Sequence, residues 1–63
     1  MEGTVKFYVE AKGYGFIIGE DGNEYFIHVS NIKNRETLAK DQTVNFEARE
    51  SDKGKQAFDV VKI

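Results

Sequence analysis

The side chains best suited to chemistry are aromatic rings with basic neighbours, concentrated in two short stretches of the 63-residue chain. The stretches are Lys12-Gly13-Tyr14-Gly15-Phe16-Ile17 and Tyr25-Phe26-Ile27-His28. Between them lies Gly19-Glu20-Asp21-Gly22-Asn23, whose Asp-Gly step is typical of a β-hairpin turn. Rings beside an ammonium and an imidazole suit stacking on flat, negatively charged ligands, and the bases of single-stranded nucleic acid fit that description.

The alternation of side chains along a strand predicts which residues of this hairpin share a face. Tyr14, Phe16 and Ile18 lie on one face of the first strand, and Phe26 and His28 can lie on the same face of the second. We expect this ring-bearing face to be exposed to solvent. The opposite face is apolar and is predicted to pack inward, with Tyr25 at its margin; it carries Gly15, Ile17, Ile27 and Val29.

Residues for catalysis or metal binding do not form a recognisable set. His28 is the only histidine and cysteine is absent, so neither metal ligation nor thiol chemistry has a supporting constellation. The acidic residues of the hairpin turn lack the spacing of a calcium-binding loop and are explained by turn chemistry and solubility. The Gly-Lys-Ser/Thr ending of a nucleotide-hydrolase phosphate loop is also missing. The sequence predicts no catalytic residue, no metal and no cofactor, and hence no enzyme.

Length and composition limit the remaining possibilities. A chain of 63 residues allows one domain, predicted over 1–63, and burial of only about 60% of the unfolded surface. No apolar run is long enough for a signal peptide or a transmembrane helix, which makes the cytoplasm the default expectation and a membrane partner unexpected. The net charge of −2 argues against a phosphate-binding protein unless lysines cluster locally and stacking supplies most of the affinity.

Short alternating segments predict five strands, over residues 3–10, 14–18, 24–29, 43–49 and 56–63. Phe7 and Tyr8 point to opposite faces of a regular first strand, and a bulge could turn both towards the ligand. Leu38 is expected to anchor the irregular segment before the fourth strand. Phe58 and Val60 are the expected core residues of the fifth. Five short strands with tight turns predict an all-β fold, a five-stranded antiparallel barrel closed to remove its exposed edges.

The two aromatic stretches resemble a pair of known motifs. Residues 12–17 are similar to the first ribonucleoprotein motif, and residues 25–30 to the second. Together with Gly3-Thr4-Val5-Lys6-Phe7-Tyr8 and Gln56-Ala57 they resemble bacterial cold-shock proteins, which are OB-fold barrels, over the whole chain. The RNA-recognition motif has similar signatures, but in the reverse order and with two amphipathic helices that this sequence lacks.

The resemblance implies binding of single-stranded RNA and DNA, with some preference for pyrimidine-rich stretches. Because bound single strands cannot pair, we further expect the protein, as a monomer, to favour unfolded RNA by mass action and so to act as an RNA chaperone without ATP. It places Tyr14, Phe16, Phe26 and His28 at base-stacking positions. It also implies ligand contacts for Lys6 and Lys12, at positions that meet the backbone or base edges, for Phe7 and Tyr8, and for Gln56.

Three departures from the family pattern bear on these expectations, the first of which is Val9 in place of a polar residue that often helps to orient the ligand. Val29 stands where an aromatic residue is often found, and the loop 32–38 looks about two residues shorter than the common form. Weaker binding or fewer covered nucleotides are therefore consistent with the sequence. A small barrel that binds a protein or peptide in an aromatic groove, and a self-associating structural module, remain as alternatives.

Overall fold

The strands of this protein were located in a computed structural model, which describes the backbone of residues 1–63 and every side chain except that of Arg35. Within that range there are five strands: β1 (Glu2–Val9), β2 (Tyr14–Gly19), β3 (Glu24–His28), β4 (Thr43–Ser51) and β5 (Gly54–Lys62). Two 3₁₀ turns, Val29–Asn31 and Lys33–Arg35, follow β3. In the part of the chain that the structure describes, no helix has the length and apolar character needed to cross a bilayer.

The strands close into a barrel in the order β1-β2-β3-β5-β4, which confirms the predicted fold class. Every neighbouring pair is antiparallel except β3 and β5, which run parallel and share the register pair Phe26 and Gln56. This parallel pair follows from the odd number of strands. Five strands in a closed barrel cannot all run antiparallel to both neighbours, so at least one pair must be parallel.

The interior is filled by side chains that alternate inward along each strand. In β2, Gly15, Ile17 and Gly19 are buried whereas the residues between them are half-buried on the outside, as predicted. Five side chains of this core are completely enclosed, and burying each contributes roughly 1.5–3 kcal/mol; they are Val5, Ile17, Ile27, Val44 and Val60. Leu38 is also buried, which confirms its predicted role as an anchor.

A bulge in β1 reverses the alternation after Lys6. Val5 pairs with Ile17 whereas Phe7 pairs with Phe16, so Lys6 is the extra residue of the bulge and has no partner on β2. Phe7 is therefore turned outward, and Tyr8 turns inward and packs against the core. The bulge moves one of the two rings to the outside, not both.

A second irregularity makes the expectation of a buried Phe58 wrong. Ala57 and Val60 are buried but Phe58 between them is only half-buried, so the inward phase is broken along β5. The break occurs at Asp59, whose φ of 52° is in the left-handed region, opposite a register shift between Asn45 and Glu47. Gln56 and Phe58 consequently lie on the outside, whereas Val60 lies in the core as predicted.

Tyr25 was predicted at the margin of the core, but the structure places it within the core. The residue is 4% exposed and its ring centroid lies 5.1 Å from that of Phe46. Its hydroxyl donates a hydrogen bond of 2.6 Å to Asp21 Oδ2. The same aspartate accepts hydrogen bonds from the backbone and the side chain of Asn23. Asp21 thus ties the β2–β3 turn to the core, and this fixes the register of the hairpin.

Gly15 allows β1 to approach β2 closely. A Cβ atom at this position would meet the carbonyl oxygen of Phe7, and would lie 2.8 Å from Tyr8 Cα, both of them backbone atoms that cannot rotate away. We expect Gly15→Ala to lower the free energy of unfolding by about 3 kcal/mol, the upper range for overpacking. Gly22→Ala is the control, because a Cβ there meets nothing within 4 Å and adds only backbone strain of about 1 kcal/mol. Urea denaturation that shows no larger loss for Gly15→Ala would contradict this account.

The hydrogen bond from Tyr25 holds the pKa of the Asp21 carboxyl below its ordinary value, with the bonds from Asn23 adding to the effect. A lowered folded-state pKa stabilises the protein above the unfolded-state pKa, and this stabilisation is lost as the pH falls through the folded-state pKa. We therefore expect Tyr25→Phe to be less stable than the wild type at neutral pH, with the difference shrinking below about pH 4. Thermal unfolding at a series of pH values tests this. Tyr14→Phe, which leaves the Asp21 bonds in place, should show no such convergence, and a pH-independent difference for Tyr25→Phe would count against the proposed origin.

Candidate nucleic-acid interface

Four aromatic rings form one continuous patch on the outside of β1, β2 and β3, which we call the ring surface: Phe7, Tyr14, Phe16 and Phe26. Each ring touches two others in a closed circuit. Phe7 lies 5.4 Å from Phe16 and 6.5 Å from Tyr14, measured between centroids. Phe26 lies 5.6 Å from Phe16 and 6.1 Å from Tyr14, the latter nearly parallel at 22°.

The strand registers explain why these rings meet. Phe7, Phe16 and Phe26 are direct cross-strand partners on three successive strands, so they form a row across the sheet. Tyr14 is two residues before Phe16 and pairs with His28, which starts a second row on the same face. The bulge in β1 is essential, because without it Phe7 would point inward.

The rings are exposed enough to meet a ligand. Phe7 is 37% exposed, and the other three are half-buried against each other. Ring pairs in edge or offset contact contribute about 0.5–1.5 kcal/mol beyond the area they bury. Mutual packing therefore holds the rings in place before any ligand arrives, which lowers the entropy lost on binding.

His28 stands at the edge of the ring surface with one ring nitrogen already engaged. Its Nδ1 accepts a hydrogen bond from the Ser30 amide at 3.2 Å and lies 2.8 Å from the Ser30 hydroxyl. In the neutral imidazole the proton is then carried by Nε2, which leaves a donor for a ligand. The side chain is exposed, so both this donor and the face of the ring are accessible.

The two predicted lysines differ in their surroundings. Lys12 is exposed in the turn just before β2, and the described side chains offer its ammonium no ion pair. Lys6, in the β1 bulge, forms an ion pair of 2.8 Å with Glu24. Both partners are about half-exposed, and such surface pairs contribute only about 0–1 kcal/mol, so a phosphate can displace Glu24 at little cost.

Charge is distributed unevenly along the hairpin. Lys12 and Glu10 offset each other in the turn before β2, beside the neutral His28, whereas three carboxylates lie at the opposite, turn end of the hairpin: Glu20, Asp21 and Glu24. Coulomb interactions therefore favour phosphates at the Lys12 end of the ring surface despite the net charge of −2.

Tyr8 and Gln56 occupy different positions from the four rings. Tyr8 lies over Gly15 and packs against the core, where burial, followed by the charge of Glu10, raises the pKa of its phenol. It is not brought together with the ring surface. Gln56 is half-buried beside Phe26 across the β3–β5 seam, and so continues the row of rings onto β5.

One group outside the predicted set lies further along that row. Arg49 pairs with Gln56 across β4 and β5, and its guanidinium carbon lies 4.4 Å from the centroid of the Phe58 ring. A signal for Phe58 was present in the sequence: it is two residues from Gln56, so a ligand-facing Gln56 implies an outward Phe58. The β5 irregularity that reconciles this with a buried Val60 could not be foreseen.

Comparison with known proteins gives the same family over the full chain. A family model described as the 'Cold-shock' DNA-binding domain matches residues 1–63. Cold shock protein 1 of Lactiplantibacillus plantarum is 51% identical over 61 residues, which cover 94% of this chain and 92% of that protein. Cold shock protein CspA of Staphylococcus saprophyticus is 44% identical, covering 98% and 97%, and Cold shock-like protein CspE of Buchnera aphidicola is 42% identical, covering 100% and 96%. The chain therefore belongs to the cold-shock family of nucleic-acid-binding domains.

Proposed function

We propose that the protein binds unpaired bases of single-stranded RNA or DNA on the ring surface, with a preference for pyrimidine-rich stretches. The observation that carries the proposal is the closed circuit of four partly exposed rings held by three strands. Stacking needs only the flat face that every base has, so this surface suits a ligand of relaxed sequence. Lys12 and Lys6 meet phosphates, and His28 donates a hydrogen bond or stacks.

Stacking can supply the affinity that the overall charge does not. A base stacked on an aromatic side chain contributes roughly 1–3 kcal/mol by alanine substitution. Four stacks at about 2 kcal/mol give on the order of 8 kcal/mol, which corresponds to a micromolar Kd. A net charge of −2 spread over the whole surface opposes this only weakly, because charges beyond about 8–10 Å are screened at physiological salt.

The geometry favours a nucleic-acid ligand over a peptide. Peptides commonly bind barrels and sheets by adding a strand to an open edge, where main-chain hydrogen bonds supply affinity. Here each of the five strands has a neighbour on both sides, although β3 and β5 share a single register pair and β4 pairs with β1 only through residues 43–45. What the surface offers is rings and cations, which match bases and phosphates. Quenching of tyrosine fluorescence by oligothymidine separates the two functions, since a peptide-binding barrel would not respond.

We expect Phe16→Ala and Phe26→Ala each to weaken binding of oligothymidine by roughly 1–3 kcal/mol. Both side chains lie on the outside, so the barrel should persist, as circular dichroism would show. Ile63→Ala is a suitable control, because Ile63 is an exposed apolar residue, 68% accessible, that belongs to no strand. The measurement is fluorescence titration with oligothymidine, oligouridine and oligoadenosine. Titration curves for both variants that coincide with those of the wild type would refute the role of the ring surface.

A protein that binds only unpaired strands shifts RNA towards its unfolded state by mass action, without ATP. We propose this chaperone activity as the cellular role, exerted in the cytoplasm by a monomer, since one barrel carries all four rings. The protein should lower the melting temperature of a pyrimidine-rich RNA hairpin. At about 100 times Kd the shift in free energy is roughly 2.7 kcal/mol per bound protein. Phe16→Ala at equal concentration is the control, and a hairpin whose melting is unchanged by saturating wild-type protein would disprove the activity.

A further inference from the structure

On the outer face of β4 and β5, the planar guanidinium of Arg49 is held in place by its neighbours. The guanidinium of Arg49 lies over the Phe58 ring, 4.4 Å from its centroid. Its Nε and one terminal nitrogen donate hydrogen bonds of 3.1 and 3.2 Å to the two carboxylate oxygens of Glu47. A ring beneath and a carboxylate at the edge together restrict the orientation of the guanidinium, and the side chain is still 54% exposed.

This group continues the ring surface around the barrel. The cross-strand partners run from Phe7 to Phe16, Phe26, Gln56 and then Arg49, on β1, β2, β3, β5 and β4 in turn. Arg49 is thus two strand spacings from Phe26, or about 10 Å. A strand that leaves the ring surface across the β3–β5 seam reaches it directly.

The contacts of Arg49 determine which part of a nucleotide it can take. Glu47 occupies two of the five N–H donors of Arg49, on Nε and on one terminal nitrogen, and offsets its charge, so a phosphate has to compete with this carboxylate. Its flat face on the side away from Phe58 is the part that fits an unpaired base. Guanidinium planes, like aromatic rings, stack on unpaired bases.

We propose that Arg49, supported by Phe58, stacks on one further base of a single strand that has crossed Gln56, and that this lengthens the site by one nucleotide. The inference rests on the proposed function of the ring surface, from which it is experimentally separable. Phe58 acts as a positioning residue beneath the guanidinium, and Glu47 holds the edge of the plane.

The experiment compares Kd values for labelled oligothymidines of about four to about ten nucleotides, which covers the lower range of site sizes for such barrels. The variants are Phe58→Ala and Arg49→Lys, the second of which keeps the charge and removes the plane. Lys62→Ala, at the far end of β5, is the matched control. Short oligonucleotides should bind all four proteins equally. With the longer ones, Phe58→Ala and Arg49→Lys should bind at least about five-fold more weakly than the wild type, the lower limit for one stacked base.

Three results would overturn the inference. The first is that Arg49→Lys follows the wild type at every length, a comparison that stays decisive if Phe58→Ala proves unstable on thermal unfolding. The second is an equal loss at every length, which would place the effect in the ring surface or in the stability of the barrel. If the wild-type protein binds no oligothymidine of any length, the proposed function fails and this inference with it.

Discussion

The alternation of side chains along β2 is the constraint on which the rest of the molecule depends. Its inward positions are two glycines and one isoleucine, and its outward positions are Tyr14, Phe16 and Ile18. The small inward residues let β1 lie close, since any side chain at Gly15 would collide with the backbone of β1. The same strand therefore closes the core on one side and presents rings on the other. Core packing and the ring surface that we propose for ligand binding therefore lie on opposite faces of the six residues of β2.

Much of this arrangement could be predicted from the sequence, because regular alternation is a local property. Alternation predicts a solvent-exposed face that carries Tyr14, Phe16 and Phe26, and a core that contains Ile17 and Ile27. The structure confirms both assignments. The barrel followed from the number of short strands and the need to cover their edges. The family resemblance rested on the same residues, and the comparisons bear it out.

What could not be predicted lies at the two irregularities of register. Alternation alone cannot say that the extra residue of β1 is Lys6, or that β5 changes phase at Asp59. Both are settled by how the strands must coil to close the barrel, which is a property of the whole fold. They decide the position of Phe7, the inward placement of Tyr8 and the outward placement of Phe58. The depth of Tyr25 was missed for another reason: its hydroxyl finds a partner in Asp21, which allows a polar ring to be buried.

The parallel seam between β3 and β5 has a consequence for motion. Only one register pair joins these strands, with an isolated bridge between Ile32 and Val60 beyond it, whereas antiparallel ladders hold the other junctions. Fewer register pairs make local opening easier at this junction than along the long antiparallel ladders β1–β2 and β4–β5. Phe26 and Gln56 face each other across it, so a ligand bound to both, as we propose, would hold the two strands together. Ligand binding would then be coupled to local opening of the barrel, and the bound protein would be the more rigid form.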